Sequence, residues 1–430
     1  MLSSLVHWAE EQSFSEIMSA LGGLAVIVGL LSWGWRFSKS MMLQRQFVRM
    51  ALPGVYSGER DNNTTQGWLY EVLYLRSRGG KLRGRSIYVH RKDESYSLKV
   101  EKTRAHPNVL LGKWRSATDS YNYGDVLWNI DKDGRTLLTG CWSGTTRRGK
   151  VNFGYWRLVQ CDPRDGQRAV KFLELKARTR IKRAISRLLA SRDQKPALIS
   201  EIIAKHDQVS EGFSYNGKAY RIGRGVFNPG LGKASTRLLE LTLAGALNDG
   251  VMKILDWGTG CGFFAVELAS APGFQDKGGK VWAVENDERA LACVRDNVSN
   301  FGLEKVITIV PSASPRELIE NNRPIKFDLI IANLPFSLAR ADVVNRGHRM
   351  FKCFCMEPNF VLEMCVALRC HLGDGGRAML AYGDSGDIEW LDTCLRIAQM
   401  TRREIEVVRA ANHDVIYIFE IRREMGTYGI

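Results

Sequence analysis

Three glycines at alternate positions, Gly258, Gly260 and Gly262, stand between a short apolar run that ends in an acid (Ile254-Leu-Asp256) and a segment with helical patterning (Phe263 to Ala269). A strand, a glycine turn and a helix start make a nucleotide-cofactor pocket, because only glycine lets backbone come so close to a ligand. A second apolar run, Lys280-Val-Trp-Ala-Val-Glu285, ends in another acid, placed where a carboxylate accepts hydrogen bonds from ribose hydroxyls. A third, Phe327-Asp-Leu-Ile-Ile-Ala332, runs into Asn333-Leu-Pro-Phe336. Ligands of open α/β sheets bind at that carboxyl edge of the strands.

The spacing selects the cofactor. Dinucleotide sites use G-x-G-x-x-G, whereas this turn is G-x-G-x-G. With Asp256 ahead of it, the turn resembles motif I of the class I S-adenosylmethionine-dependent methyltransferases. Asn333-Leu334-Pro335-Phe336 resembles motif IV of the amino-methylating members. The resemblance spans about 212–424 and implies a Rossmann-like α/β domain with a seven-stranded sheet and S-adenosyl-L-methionine as cofactor. Asp256, Gly258, Thr259, Gly260 and Gly262 are expected to hold its methionine end. Glu285, with Asn286 beside it, is expected at the ribose. Relatives often carry an acid after the third strand for the adenine amine; here Pro311-Ser312-Ala313-Ser314 follows, so Ser312 or backbone takes that place.

In motif IV a neutral amine conjugated to a ring or carbonyl is a poor nucleophile. Accepting its protons on the Asn333 side-chain oxygen and the Leu334 carbonyl holds its lone pair towards the methyl group. Pro335 stiffens the loop, and Phe336 stacks on a planar substrate. Asn333 therefore counts with both the catalytic and the cofactor set. The motifs point to different substrates. Asn-Leu-Pro-Phe is similar to ribosomal RNA adenine methyltransferases, whereas Leu255-Asp-Trp-Gly-Thr-Gly-Cys-Gly262 is more similar to the release-factor glutamine and guanine-amine groups. Upstream, Phe227, Asn228 and Thr236 are possible lid contacts, with local packing and capping as the competing role.

These elements sit in a chain of 430 residues, long enough for two or three domains, with 45% hydrophobic and 25% charged residues. The net charge of +15 favours an anionic partner: nucleic acid, an acidic protein or an anionic membrane face. Nine cysteines, without a C-x-x-C pair, suggest a reducing compartment. Cys353, Cys355, Cys365, Cys370 and His371 follow no zinc pattern and read as core residues, so no metal is expected. No P-loop, Ser-His-Asp set or paired-carboxylate site stands out.

Residues Ile17 to Trp35 carry no charge. As a helix they reach roughly 28 Å, about one hydrocarbon core. The preceding acids and the missing cleavage site argue against a signal peptide, and the absence of a polar face argues against a core helix. We expect a transmembrane helix at 17–35 after a short extracytoplasmic segment at 1–16. Arg36, Lys39, Arg45 and Arg49 then place the bulk of the chain in the cytoplasm as a single-pass membrane protein.

At 52–160, alternating apolar runs separated by Gly, Asn and Asp predict about eight short strands, hence a small antiparallel β-barrel or sandwich. Gly112-Lys-Trp114 and Gly154-Tyr-Trp156 give it a lipocalin-like look. Its aromatics read first as core, with an unknown ligand or partner in the barrel mouth as the other option. Residues 165–211 read as a basic helical connector, open to a solvated face, RNA contact or lipid adhesion. The methyltransferase domain follows at 212–430. The function expected is a membrane-anchored N-methyltransferase acting on RNA or another nucleic acid. The alternatives are a protein glutamine methyltransferase and a membrane-bound sensor with a weakly active methyltransferase fold.

Overall fold

The computed structural model describes residues 53–173 and 212–424, apart from 63–66, 79–80, 89–95, 103–107, 118–122, 134, 146–150, 232, 246–249, 321–322, 336, 339–354, 357, 384–385 and 410–414. The expected membrane span 17–35, the segment 1–16 and most of the basic connector lie outside the described residues, as do Phe336 and Cys353. Among the described residues no helix is long and apolar enough to cross a membrane.

The first unit is a closed antiparallel barrel, so the choice left open between barrel and sandwich resolves to a barrel. Its strands are β1 (Gly54–Asn62), β2 (Gly67–Arg78), β3 (Lys81–Tyr88), β4 (Tyr96–Lys102), β5 (Val109–Ser116), β6 (Tyr123–Asp133), β7 (Arg135–Thr145) and β8 (Val151–Gln160). Each pairs with the next, and β8 returns to β1. Period-two alternation sends Gly124, Val126, Trp128 and Ile130 of β6 inward and Tyr123, Asp125, Leu127 and Asn129 outward. Four indoles, Trp114, Trp128, Trp142 and Trp156, meet inside with ring centroids 5.3–6.3 Å apart. Glycine makes room for them: a Cβ on Gly144 would lie 2.3 Å from the Trp114 ring. The interior also buries an ion pair, Arg60 Nε to Glu71 Oε2 at 3.5 Å, and Tyr96 Oη donates to Glu71 Oε1 at 2.9 Å.

The second unit starts with a hairpin, β9 (Gly212–Tyr215) and β10 (Lys218–Arg221), turned at Asn216-Gly217. Helix α2 (Lys233–Gly245) follows; α1 (Pro163–Phe172) belongs to the seam described below. Then come β11 (Lys253–Trp257), α3 (Phe263–Ala269), β12 (Lys280–Glu285), α4 (Glu288–Asn300), β13 (Ile307–Pro311), β14 (Phe327–Ala332), α5 (Pro358–His371), β15 (Leu372–Gly383), α6 (Ile388–Ile397), β16 (Met400–Arg409) and β17 (Val415–Arg423). The sheet order is β13-β12-β11-β14-β15-β17-β16, with β17 alone antiparallel to its neighbours. Parallel strands buried on both faces read as continuous apolar runs. Accordingly Leu255, Trp257 and Ile330 feed one core, and Ile254, Leu329 and Ile331 the other. Cys365, Cys370 and His371 lie on α5 and are buried in or beside the first of these cores.

The barrel is not a bead on a string. Val55, Tyr70, Val72 and Tyr74, from the outer face of β1 and β2, share a core with α5 and α6. Tyr70 Oη donates to the Ile397 carbonyl at 2.8 Å. Helix α1, whose residues 165–172 belong to the basic connector expected at 165–211, is wedged into this seam. Its Asp165 accepts two hydrogen bonds from Arg396, and Phe172 stacks on Trp390 at 4.6 Å.

Candidate functional site

Strand β11 ends in a carboxylate that never reaches water. Asp256 is fully buried, and its Oδ2 accepts from Thr259 Oγ1 at 2.5 Å and from the Ala265 N–H at 3.0 Å. It therefore ties the start of the turn to the first turn of α3. Burial pushes its carboxyl up to about 7 against the pull of those two hydrogen bonds. Its Oδ1 is buried without a hydrogen-bond partner.

The turn needs its glycines. Gly258, Gly260 and Gly262 have φ of 75°, 58° and 87°, the left-handed region that costs a residue with a Cβ about 1–2 kcal/mol. Their surroundings differ. A Cβ on Gly262 would meet Val294 at 2.7 Å, and one on Gly258 would meet Leu334 at 2.9 Å. A Cβ on Gly260 would meet nothing within 4 Å. Open space over Gly260, on a turn underlain by a buried acid, suits a cofactor carrying an ammonium group.

Glu285 is locked to the same turn. Its Oε2 accepts the Gly260 N–H at 3.0 Å, and its Oε1 accepts the N–H groups of Asn286 at 2.7 Å and Asp287 at 3.0 Å. Three backbone donors fix the carboxylate between the turn and the start of α4. A carboxylate has about four acceptor positions, so one remains for a ribose hydroxyl. The Asn286 side chain is exposed. Ser312 follows β13. Its N–H donates to the Glu285 carbonyl at 2.8 Å and its hydroxyl to the Ser314 carbonyl at 2.9 Å. Both donors of Ser312 are thus used, one on the end of β12 and one within the loop.

Asn333 stands at the carboxyl end of β14, next to β11 in the sheet. Its Nδ2 donates to Ser235 Oγ of α2 at 2.8 Å, which leaves Oδ1 as the acceptor end of the carboxamide. Leu334 is buried against Gly258, and Pro335 is half-buried beside it. The structure thus brings Leu334 against the glycine turn, with Asn333 and Pro335 on either side of it in the chain.

Sequence reasoning passed over three positioning residues. Ser235, not its neighbour Thr236, reaches Asn333; Thr236 donates to the Lys233 carbonyl at 3.1 Å. Asn297 of α4 is fully buried and clamps the Arg221 backbone to the Cys261 carbonyl through three hydrogen bonds of 2.8–2.9 Å. A polar residue on the apolar face of a helix was its signal. Trp257 ties β11 to the loop after β13, its Nε1 donating to the Ala313 carbonyl at 3.3 Å. Of the lid residues, Asn228 is buried and accepts the Gly230 N–H at 2.8 Å, and Phe227 is half-buried. A separate cleft of about 450 Å3 opens at the seam, lined by Cys161, Asp165, Arg168, Arg396 and Gln399 among others, and holds none of the turn residues.

Residues 222–353 match a family model described as the methyltransferase small domain. No curated protein matches the chain. Among solved structures it is similar to a precorrin-6y C5,15-methyltransferase from Geobacter metallireducens (13% identity, 47% of this chain and 94% of that one, TM-score 0.32). It is also similar to the Mtq2–Trm112 complex of E. cuniculi, described as responsible for methylating the termination factor eRF1 (14% identity, 46% and 99%, TM-score 0.33). A third is TrmK of M. capricolum in complex with S-adenosyl-homocysteine (16% identity, 44% and 67%, TM-score 0.30). The family match takes in the turn, Glu285 and Asn333. The protein is an S-adenosylmethionine-dependent methyltransferase with a class I fold, carrying an additional eight-stranded barrel.

Proposed function

We propose that the chain methylates an amine or amide nitrogen, of RNA or another nucleic acid in first place, while tethered to a membrane by residues 17–35. The observation that carries the nitrogen reading is the Asn333 carboxamide, turned by Ser235 so that its oxygen is the acceptor end, at the strand edge one residue before Leu334. S-adenosyl-L-methionine, when bound, supplies a sulfonium-activated methyl group.

The chain's residues then have separable tasks. Asp256, enclosed beneath the turn, holds it to the start of α3 and sets a negative charge under the cofactor's ammonium, and Glu285 takes a ribose hydroxyl. Asn333 Oδ1 and the Leu334 carbonyl accept the two N–H bonds of the target nitrogen and direct its lone pair to the methyl group. The nitrogen sheds one proton to solvent as the new bond forms. Leu334, packed on Gly258, fixes the acceptor pair relative to the cofactor bed. The net charge of +15 supports a nucleic-acid substrate over an acidic-poor protein loop. The uncharged stretch 17–35 with its basic carboxyl flank supports a single-pass anchor and a cytoplasmic active site.

The test is transfer of radiolabel from S-adenosylmethionine by the full chain in detergent or vesicles, with RNA, DNA and membrane-associated protein offered in parallel. Label that enters RNA, is recovered on a base nitrogen after enzymatic digestion to nucleosides and disappears with Asn333→Ala is expected. Label recovered on a ribose oxygen or a base carbon, or as a base-labile carboxyl ester in protein, would sink the nitrogen reading. Label confined to protein would move the substrate to a glutamine amide. Cofactor binding without transfer to any class would favour a sensor.

A further inference from the structure

Two features of the barrel's outer surface are unexplained by packing or by the site. The first is a row of like charges. The strand registers set Arg76 opposite Arg83, Arg83 opposite Lys99, and Lys99 opposite Lys113. All four side chains are exposed; the row ends at Asp125, opposite Lys113, and among the described residues none of the four forms an ion pair. Arg85 and Arg115 stand in the neighbouring row, on either side of Ser97. Like charges directly opposite on a sheet repel. Such a row asks for an external anion.

The second feature is an apolar wall that continues the first around the barrel. Leu111, Leu127, Cys141 and Tyr155 are directly opposite one another across β5, β6, β7 and β8, and all point outward. Phe153 lies in the flanking row, which also holds Lys113, Asp125 and Ser143, and Tyr123 lies one row further, opposite Arg115; Glu101 stands opposite Leu111 at the β4 end of the wall. Leu111, Tyr123, Leu127, Phe153 and Tyr155 are 37–56% exposed, and they are five of the seven large apolar side chains exposed among the described residues. Five on one wall is a patch and not the scatter of single residues that any surface shows. The barrel's β1–β2 side is the one fused to the α/β unit, so β5 and β6, four strands round, face away from it.

We propose that this wall and its basic border are a docking surface for an anionic lipid bilayer, laying the barrel on the membrane with the α/β unit held above it. Tyrosine, phenylalanine and leucine beside lysine and arginine is the chemistry of the headgroup–acyl boundary. Nucleic acid is a poorer match, because Leu111 and Leu127, opposite one another at the centre of the wall, offer no stacking face to a base. A second copy is also poorer, since a two-fold contact would set the basic border against either its own copy or the far edge of the apolar wall, with no anion to meet it. The length of chain outside the described residues agrees. Only residues 36–53 separate Trp35 from β1, at most about 60 Å fully extended, and they add Arg36, Lys39, Arg45 and Arg49. The inference rests on the reading of residues 17–35 as an anchor for its orientation, while the surface itself does not need the anchor.

The experiment uses the full chain with p-benzoylphenylalanine in place of Tyr155, mixed with vesicles of phosphatidylcholine alone or with roughly one-third phosphatidylserine, then irradiated. The expected result is a lipid adduct at position 155, strongest on anionic vesicles and cut several-fold by Lys99→Gln with Lys113→Gln or by high salt. Chains that float with both vesicle types but give no lipid adduct overturn the docking surface and leave the anchor standing. Flotation and adduct on anionic vesicles only keep the docking surface and remove the anchor. An adduct to a second copy, or to RNA added as competitor, overturns the proposal in favour of that partner. Chains that never float overturn both.

Discussion

Asn333 Nδ2 donates to Ser235 Oγ at 2.8 Å, so a helix serine sets which end of the Asn333 carboxamide is left as an acceptor. Ser235 is buried, and the contact joins residues 98 apart in sequence. Removing the acceptor itself, Asn333→Ala, is expected to lower kcat by roughly 10²–10³-fold, the range for one preorganised hydrogen-bonding group at a reacting centre. Ser235→Ala leaves the amide free to rotate and should cost roughly tenfold in kcat with cofactor Kd unchanged. Ser235→Thr, which keeps the hydroxyl, should recover part of the loss. Equal losses of kcat and cofactor affinity in Ser235→Ala would mean that the serine shapes the fold and not the carboxamide.

Asp256 predicts a pH dependence. Its folded carboxyl titrates near 7, above the ordinary carboxylate value, because burial opposes the charge. Between about pH 4 and 7 the native state therefore holds a proton that the unfolded chain has released. Unfolding stability falls as pH rises through that window, by at most about 1.4 kcal/mol per pH unit. Binding runs the other way. A cofactor ammonium near this group favours the carboxylate, so affinity should climb with pH up to about 7 and level off above it. Calorimetric titration with S-adenosyl-homocysteine at several pH values checks this, with Asp256→Asn as control. A flat affinity profile in the parent chain would show that the ammonium does not lie near this carboxylate.

The contrast between Gly260 and its neighbours gives a cleaner test of the cofactor bed. All three glycines share a positive φ, so alanine at any of them carries similar strain. Only at Gly260 does the new methyl group enter open space. Gly260→Ala is expected to lower stability by about 1–2 kcal/mol and cofactor affinity by more than that strain accounts for, tenfold or beyond. Gly262→Ala, driven into Val294, should chiefly lower the melting temperature. Similar losses of affinity in both variants would place the cofactor elsewhere on the turn.

How much of this was legible in the sequence follows from which physics is local. Strand β11 and the turn after it could be read because a buried parallel strand is an apolar run and a left-handed turn demands glycine, both visible within ten residues. The eight barrel strands were legible from period two, but closure was not, since the β1–β8 pairing joins residues about 100 apart with no local mark. Ser235 was hidden because nothing near it in sequence says what its hydroxyl will meet. The boundary at 165 failed to show a seam for the same reason. Asp165 looks like one acid in a basic run until Arg396, 231 residues away, is seen against it.

That seam supports the last prediction. Asp165 is buried, and the Arg396 guanidinium holds both its oxygens, at 2.6 and 2.5 Å. Arg396 itself is more than half exposed, so water can partly replace it. Arg396→Ala should therefore cost about 1–3 kcal/mol, below the loss of a fully enclosed pair. Tyr70→Phe strips a buried donor from the Ile397 carbonyl and should cost a similar amount. Because the outer face of β1 and β2 shares one core with α5 and α6, the damage is not confined to one unit. In thermal unfolding, barrel tryptophan fluorescence and protection of the cofactor site are expected to shift together in either variant. A drop in the barrel transition alone, with cofactor binding still lost at the parent temperature, would show that the two units unfold independently and that the shared core couples them only weakly.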